Sequence, residues 1–275
     1  HQQLLPLRDI NSNKGSFGKL LIIAGSKGMA GAAILNALGA YRSGAGLIKI
    51  YTHEDNRVIL QNQVFEGIVS TYSDYQEKEI RKLLEWSDTV LIGSGLGLSS
   101  LSKAILHQVV REAKGPCIID GDGLTLLANS NQLKEQLKKG NFVLTPHIKE
   151  MSRILDTNIE KIKKDRKDLL SSYAQTYQVV CALKDARTII GGPGKNSILN
   201  TSGNEAMAKA GSGDVLAGII AGLIVQKMTP FKACVLGTYL HGRAGDLKKI
   251  EMGSYSVMAR DLVDGICQVF KELEE

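Results

Sequence analysis

The 275-residue chain is poor in aromatic residues, which make up 5% of it and include a single tryptophan. Its lysines are scattered among acids in helical patterns, as at Lys161, Lys163 and Lys164. Despite a net charge of +6, there is neither a stacking platform nor a basic stripe for nucleic acid, and no nucleic-acid partner is expected. The four cysteines, Cys117, Cys181, Cys234 and Cys267, show no CxxC spacing and each lies in an apolar stretch. They read as buried free thiols in a reducing compartment. No apolar run reaches the roughly 18 residues of a membrane span, and no signal peptide is visible. A cytoplasmic protein without a membrane partner is expected. GxxxxGK[ST] is missing, and so is GxGxxG, which removes the P-loop and the standard dinucleotide fingerprint. Linkers, low-complexity tracts and internal repeats are missing too. With 43% hydrophobic and 23% charged residues, the expectation is one domain over residues 1–275.

What is present is a strand-helix rhythm. Short apolar runs at 19–26, 47–52, 89–95, 116–123, 141–147 and 178–184 suit buried parallel strands. Helical patterns at 29–44, 74–86, 100–113 and from the end of the fifth strand to about 177 separate them. Residues 187–192 and 196–200 then read as an antiparallel pair around a Pro-Gly turn. Three helices follow, at about 213–226, 230–248 and 256–273. The pattern predicts an α/β fold, a mostly parallel sheet covered on both faces with an antiparallel edge pair.

Several strands stop in glycine or small polar residues: "AGSKG", "GSGLG", "DGDG", "TPH". Beyond the carboxyl ends of parallel strands is where open sheets bind ligands. The sharpest segment is "AKAGSGDVLAGIIAGLI", where one carboxylate, Asp214, stands between small residues and a long apolar helix. Backbone N–H groups of Gly211, Ser212 and Gly213 can converge there with the helix N-terminus into an anion hole. Asp214 beside a bound phosphate could take a proton from a hydroxyl attacking phosphorus. A plain helix-capping role for Asp214 is the competing expectation.

"NEAMAKAGSGDVLAGIIAGLI" resembles the anion-hole segment of the ribokinase-like superfamily. "KGSFGKLLIIAGSKGMAGAAILNALGAYRSGAGL", "IGSGLG", "IIDGDGLTLLA", "LTPHIKEMSRIL", "LKDARTII" and "NTSGNEAMAKAGSGD" follow in the order of the bacterial ADP-dependent NAD(P)H-hydrate dehydratases. The resemblance runs from about Lys14 to the final helix. It implies a ribokinase-like three-layer α/β/α sandwich and repair of hydrated NADH or NADPH. The S epimer would be dehydrated at the expense of ADP, or of ATP as in eukaryotic relatives, with Mg2+ screening the phosphates. Asp214 would be the base on the C6 hydroxyl, and Gly211, Ser212 and Gly213 would hold the transferring phosphoryl group. Lys184, Asp185, Ala186, Arg187, Thr188 and Gly213 would bind the nucleotide. Ala32, Gly97, His147 and Asp214 would line the hydrated dinucleotide. Asn204, Glu150 and Asp120 would support the site. Glu150 would help with metal or water, and Asp120 or Asp122 would reach metal through water or serve the turn. A homo-oligomer, a tetramer as in relatives, is also implied.

The chain departs from the family's usual pattern in three places. Lys184 is followed by Asp185 where Lys-Gly is usual, which sets a carboxylate near phosphates unless it faces away or meets a metal. "GSGLG" replaces "GPGLG", and "DGDGL" replaces "DADAL". The rival readings are a small-molecule kinase of the same superfamily, acting on a thiazole or pyrimidine alcohol, and a non-catalytic nucleotide sensor. The first would share Asp214 but not the N-terminal segment; the second has no need of that carboxylate.

Overall fold

The computed structural model describes residues 2–6 and 8–275. One sheet carries β1 (Lys19–Ile23), β2 (Leu47–His53), β3 (Ile68–Tyr72), β4 (Thr89–Ile92), β5 (Cys117–Ile119), β6 (Phe142–Leu144), β7 (Val180–Leu183), β8 (Ile189–Gly191) and β9 (Ile198–Leu199). The spatial order is β3-β2-β1-β4-β5-β6-β7-β8-β9. The first seven strands are parallel, while β8 runs antiparallel to β7, and β9 to β8. The expected edge pair is therefore present.

Successive side chains of each strand point to opposite faces. Leu20 and Ile22 join Ile48, Leu91, Ile118, Val143 and Ala182 in one core. Leu21 and Ile23 join Val90, Ile92, Ile119 and Leu144 in the other. Burial on both faces is why these strands read as continuous apolar runs. The first core is closed by α1 (Ala30–Arg42), α2 (Arg57–Gln61), α9 (Ser212–Val225), α10 (Pro230–Met252) and α11 (Ala259–Glu274). The second is closed by α3 (Glu77–Trp86), α4 (Ser100–Glu112), α5 (Asp122–Ala128), α6 (Asn131–Leu137), α7 (Ile148–Ile154) and α8 (Ile159–Tyr177). The result is the expected three-layer sandwich.

Every residue of α9 from Val215 to Val225 is buried, as a helix apolar on all sides requires. It lies so close to α1 that a Cβ on Gly218 would stand 2.2 Å from the Asn36 carbonyl oxygen. This contact explains the run of small residues in α1.

The structure corrects the sequence reading at several points. β3 was not foreseen, because as an edge strand it leaves Ile68 exposed and carries Ser70 and Thr71. The predicted strand at 116–123 stops at Ile119, and Asp122 opens α5 instead. Cys267 is exposed, unlike Cys117, Cys181 and Cys234. It sits on the outer face of α11, whose buried stripe is carried by Leu262, Val263, Ile266 and Val269.

Candidate active site

Strand order reverses direction at β1, whose neighbours are β2 and β4. The loops after β1 and β4 meet there: Gly25 N–H donates to Ser94 O at 3.0 Å and Ser26 N–H to Gly95 O at 2.6 Å. Such a switch point is where doubly wound sheets open a ligand crevice. Two of the expected residues lie at it. Ala32, in the first turn of α1, is so close to the second loop that a Cβ on Gly95 would come within 2.9 Å of its own Cβ. Gly97, at φ +80°, donates its N–H to Asp122 Oδ2 at 2.8 Å.

A second opening lies toward the antiparallel end of the sheet. It is a cavity of about 910 Å3 lined by Lys184, Asp185, Ala186, Arg187 and Thr188 and by Ser212 and Gly213. Lys149, Lys184 and Arg187 bring positive charge to its lining, as a nucleoside polyphosphate needs, against the carboxylates of Asp185 and Glu205. His147 and Asn204 also line it, whereas Ala32 and Gly97 do not. The structure thus groups His147 with the Lys184 loop, to which it is paired in a parallel bridge with Lys184.

Asp214 stands between these two regions, at the third position of α9. The helix cap is Gly211 in the left-handed conformation (φ +88°), with no side-chain cap hydrogen bond, so Asp214 does not cap the helix. A Cβ on Gly211 would meet Leu35 Cδ1 at 2.5 Å, and one on Gly213 would meet Lys184 Nζ at 3.2 Å. Glycine at both positions leaves room for the turn and for the ammonium. Asn36, buried in α1, donates to the Asp214 carbonyl at 2.7 Å and fixes the first turn. The Ser212 N–H, expected in the anion hole, is instead bonded to Lys209 O at 3.3 Å, and its hydroxyl meets His241 Nε2 at 3.2 Å.

Burial pushes the Asp214 carboxyl up to about 7; Asp120 and Asp122 add to the rise, while Lys184 and a Ser94 hydrogen bond oppose it. A base that ionises near neutral pH is suited to proton abstraction there. Burial likewise raises Glu150 to about 7, against the pull of Lys184 and of the His147 N–H. Burial lowers His241 to about 4 and keeps its ring neutral. His147 is also lowered, by burial and then by Lys184. His147 and Glu150 form the capping box of α7: Glu150 N–H donates to His147 Nδ1 at 3.1 Å, and His147 N–H to Glu150 Oε2 at 2.9 Å. The pair therefore orders the start of α7 beside the cavity.

Asp120 opens the turn that leads into α5, its carbonyl accepting from Gly123 N–H at 3.0 Å, while its carboxylate is held by three donors. Its Oδ1 accepts from Thr145 Oγ1 at 2.6 Å and Lys184 Nζ at 2.9 Å, and its Oδ2 accepts from Ser94 at 3.0 Å. Among the described residues no group of three or more His, Cys, Asp or Glu could hold a metal ion.

Asn204 caps the 3-10 turn Glu205–Met207 through Ala206 N–H at 3.0 Å, and Asp246 of α10 holds its amide at 2.8 Å. Asp185 meets Arg166 Nη1 at 2.9 Å. This accounts for a carboxylate where glycine is usual: it is neutralised by a guanidinium from α8, which breaks from helical geometry at the preceding Asp165 (φ −117°, ψ 28°). Ser94, Thr145, Asn36, His241, Arg166 and Asp246 were missed from sequence. The one local signal among them is Asn36, a lone polar residue in the small apolar stretch "AAILNALGA".

The sequence profile of the NAD(P)H-hydrate dehydratase family matches residues 20–268. The bifunctional NAD(P)H-hydrate repair enzyme Nnr of Moorella thermoacetica is 36% identical over 98% of this chain and 52% of its own length. The chain thus spans about half of such bifunctional relatives. The ADP-dependent (S)-NAD(P)H-hydrate dehydratase of Bacillus subtilis is 34% identical, over 98% of this chain and 95% of that protein. A crystal structure of the Bacillus subtilis ADP/ATP-dependent NAD(P)H-hydrate dehydratase, co-crystallised with ATP and Mg2+, superposes with a TM-score of 0.89 at 32% identity, covering 99% of this chain and 95% of that one. With the profile covering most of the sheet and all the loops of the site, the chain belongs to the NAD(P)H-hydrate dehydratase family.

Proposed function

We propose that the chain dehydrates the S epimer of hydrated NADH or NADPH, using ADP, or ATP, as the phosphoryl donor. The observation that carries this reading is the placement of Asp214, a near-neutral base at the start of α9. On one side is a cation-lined cavity large enough for a nucleotide; on the other is the switch-point crevice.

Hydroxide is a poor leaving group and phosphate a good one. In the proposed reaction Asp214 takes the proton of the C6 hydroxyl as that oxygen attacks the terminal phosphoryl group, and AMP departs when ADP is the donor. The ring nitrogen's lone pair then expels phosphate from C6, and loss of a C5 proton restores the dihydropyridine. Gly211 and Gly213 N–H groups and the α9 N-terminus hold charge on the transferring group, with the Lys184 ammonium beside them. Magnesium, when bound with the nucleotide, supplies charge neutralisation on the phosphates. Lys184 to Thr188 and Gly213 hold the nucleotide, Ala32 and Gly97 the hydrated ring's side of the dinucleotide, and His147, Glu150 and Asn204 order the cavity wall.

No helix among the described residues is long and apolar enough to cross a membrane, and a cytoplasmic site of action agrees with the proposed substrates. A tetramer is the assembly we propose, to be checked by light scattering. The activity test is recovery of the reduced ring's near-ultraviolet absorbance from hydrated NADH with Mg2+ and ADP or ATP. Nucleotide-dependent recovery supports the dehydratase, and the faster nucleotide identifies the donor. No recovery from folded, nucleotide-binding protein overturns it in favour of a small-alcohol kinase.

A further inference from the structure

We propose that Asp120 is a positioning residue for this reaction: it holds the Lys184 ammonium on the phosphoryl side of the site and keeps it from pairing with Asp214. The inference rests on the dehydratase reading, with Asp214 as base. Asp120 is 2% exposed, and the three donors described above converge on it from three elements. Ser94 follows β4, Thr145 follows β6 and Lys184 follows β7, so the carboxylate is clamped by the sheet itself. Lys184 is fixed at its other end too, since its N–H donates to Pro146 O at 2.7 Å. Its ammonium then lies beside Gly213, one residue from Asp214.

Two opposite charges at close range in a poorly solvated site attract strongly. An ammonium released from Asp120 would find Asp214 as its neighbouring anion. The resulting ion pair would occupy the lone pair the base must offer and withdraw positive charge from the phosphoryl group. The other charged or titratable groups around Asp214 and Lys184 do not replace this control. They are Asp122 on α5, facing Asp214, and, around the Lys184 ammonium, Glu150 and His147 on α7, with Arg153 beside them, and the neutral His241 on α10. Burial alone would make the Lys184 ammonium less basic, but Asp120 and Glu150 outweigh burial and hold it above its ordinary value. It therefore remains a cation at working pH.

The test is kcat against pH, with hydrated NADH, ADP and Mg2+, for the wild type, D120N, K184M and the double variant, together with the KM for ADP. D120N is expected to lower kcat on the order of 30-fold or more, within the range of general-base contributions. Its acid limb should move down by about one pH unit as the ammonium settles on Asp214. K184M should move the acid limb up, because a cation has left Asp214. In the K184M background D120N should change kcat less than about threefold, as coupled residues do. Equal losses in both backgrounds, or a lost kcat with an unmoved acid limb in D120N, would overturn the proposal and leave Asp120 a merely structural residue. If D120N does not fold, K184M decides alone, and an acid limb that stays or falls overturns it. Absence of turnover in the wild type would overturn the dehydratase reading and this assignment with it.

Discussion

Asp214→Asn is expected to make the protein more stable and inactive at once, and the size of both effects follows from the site. In the unfolded chain the carboxyl ionises near 3.8; in the folded chain burial and Asp120 hold it at about 7. Between those values the folded protein keeps a proton that the unfolded chain has released. Stability therefore falls as pH rises through that window and stays low above it. At about 1.36 kcal/mol per pH unit, the interval amounts to on the order of 4 kcal/mol at pH 8, an upper value because the site can relax and admit water. Asparagine has the same shape and carries no charge. The variant should therefore recover much of that energy at pH 8 and almost none below pH 4. At about 2 °C per kcal/mol for a chain of this size, the melting temperature should rise on the order of 5–8 °C at pH 8. Over the same range kcat should fall by about 100- to 10,000-fold while ADP still binds. Thermal melts of both proteins from pH 4 to 8.5 are the assay. A gap that does not widen with pH, or a wild type more stable than the variant at pH 8, would refute the account of Asp214 as a buried, destabilised base. Near-normal turnover by the variant would refute its role in the chemistry.

Other expectations concern the walls of the site. Asp185→Gly, which restores the family's usual residue, should lower the KM for ADP about threefold through the charge removed and leave kcat unchanged. Because the Arg166–Asp185 pair is partly exposed, its loss should cost less than about 1 kcal/mol in denaturant unfolding. Gly218→Ala should be far more damaging than an ordinary helix substitution. Its Cβ would stand 2.2 Å from the Asn36 carbonyl, so α1 and α9 must part, at about 3 kcal/mol or more, and kcat should fall as Asp214 moves. Ser212→Ala removes only the hydroxyl that meets His241 and should cost about 1 kcal/mol in a thermal melt. Its kcat should stay within about threefold of wild type, since the hole relies on backbone N–H groups; a drop beyond about 100-fold would assign the hydroxyl to the reaction.

What could be read in the sequence and what could not divide along a physical line. The strands β1, β2 and β4 to β7 were legible because both their faces are buried, so the chain had no choice but to make them apolar. β3 was not, because an edge strand with one face half in solvent carries no such demand. The anion-hole turn was legible for a related reason: Gly211, at φ +88° and with Leu35 Cδ1 2.5 Å from where a Cβ would stand, cannot be anything larger, and glycine before a lone aspartate leaves a local mark. The control of the site leaves none. Lys184 and Asp120 are 64 residues apart, and Ser94 and Thr145 reach Asp120 from separate strand ends as ordinary hydroxyl residues. Only the sheet order, with β4, β5, β6 and β7 side by side, brings their carboxyl ends to one point. The same holds for Asp185, which looked like a misfit beside phosphates until its partner was found on α8, 19 residues upstream. A single sequence shows where the backbone is constrained; it does not show which charges meet. In this chain the proposed base and its hole belong to the first kind of information. The groups that decide whether that base is free to act belong to the second.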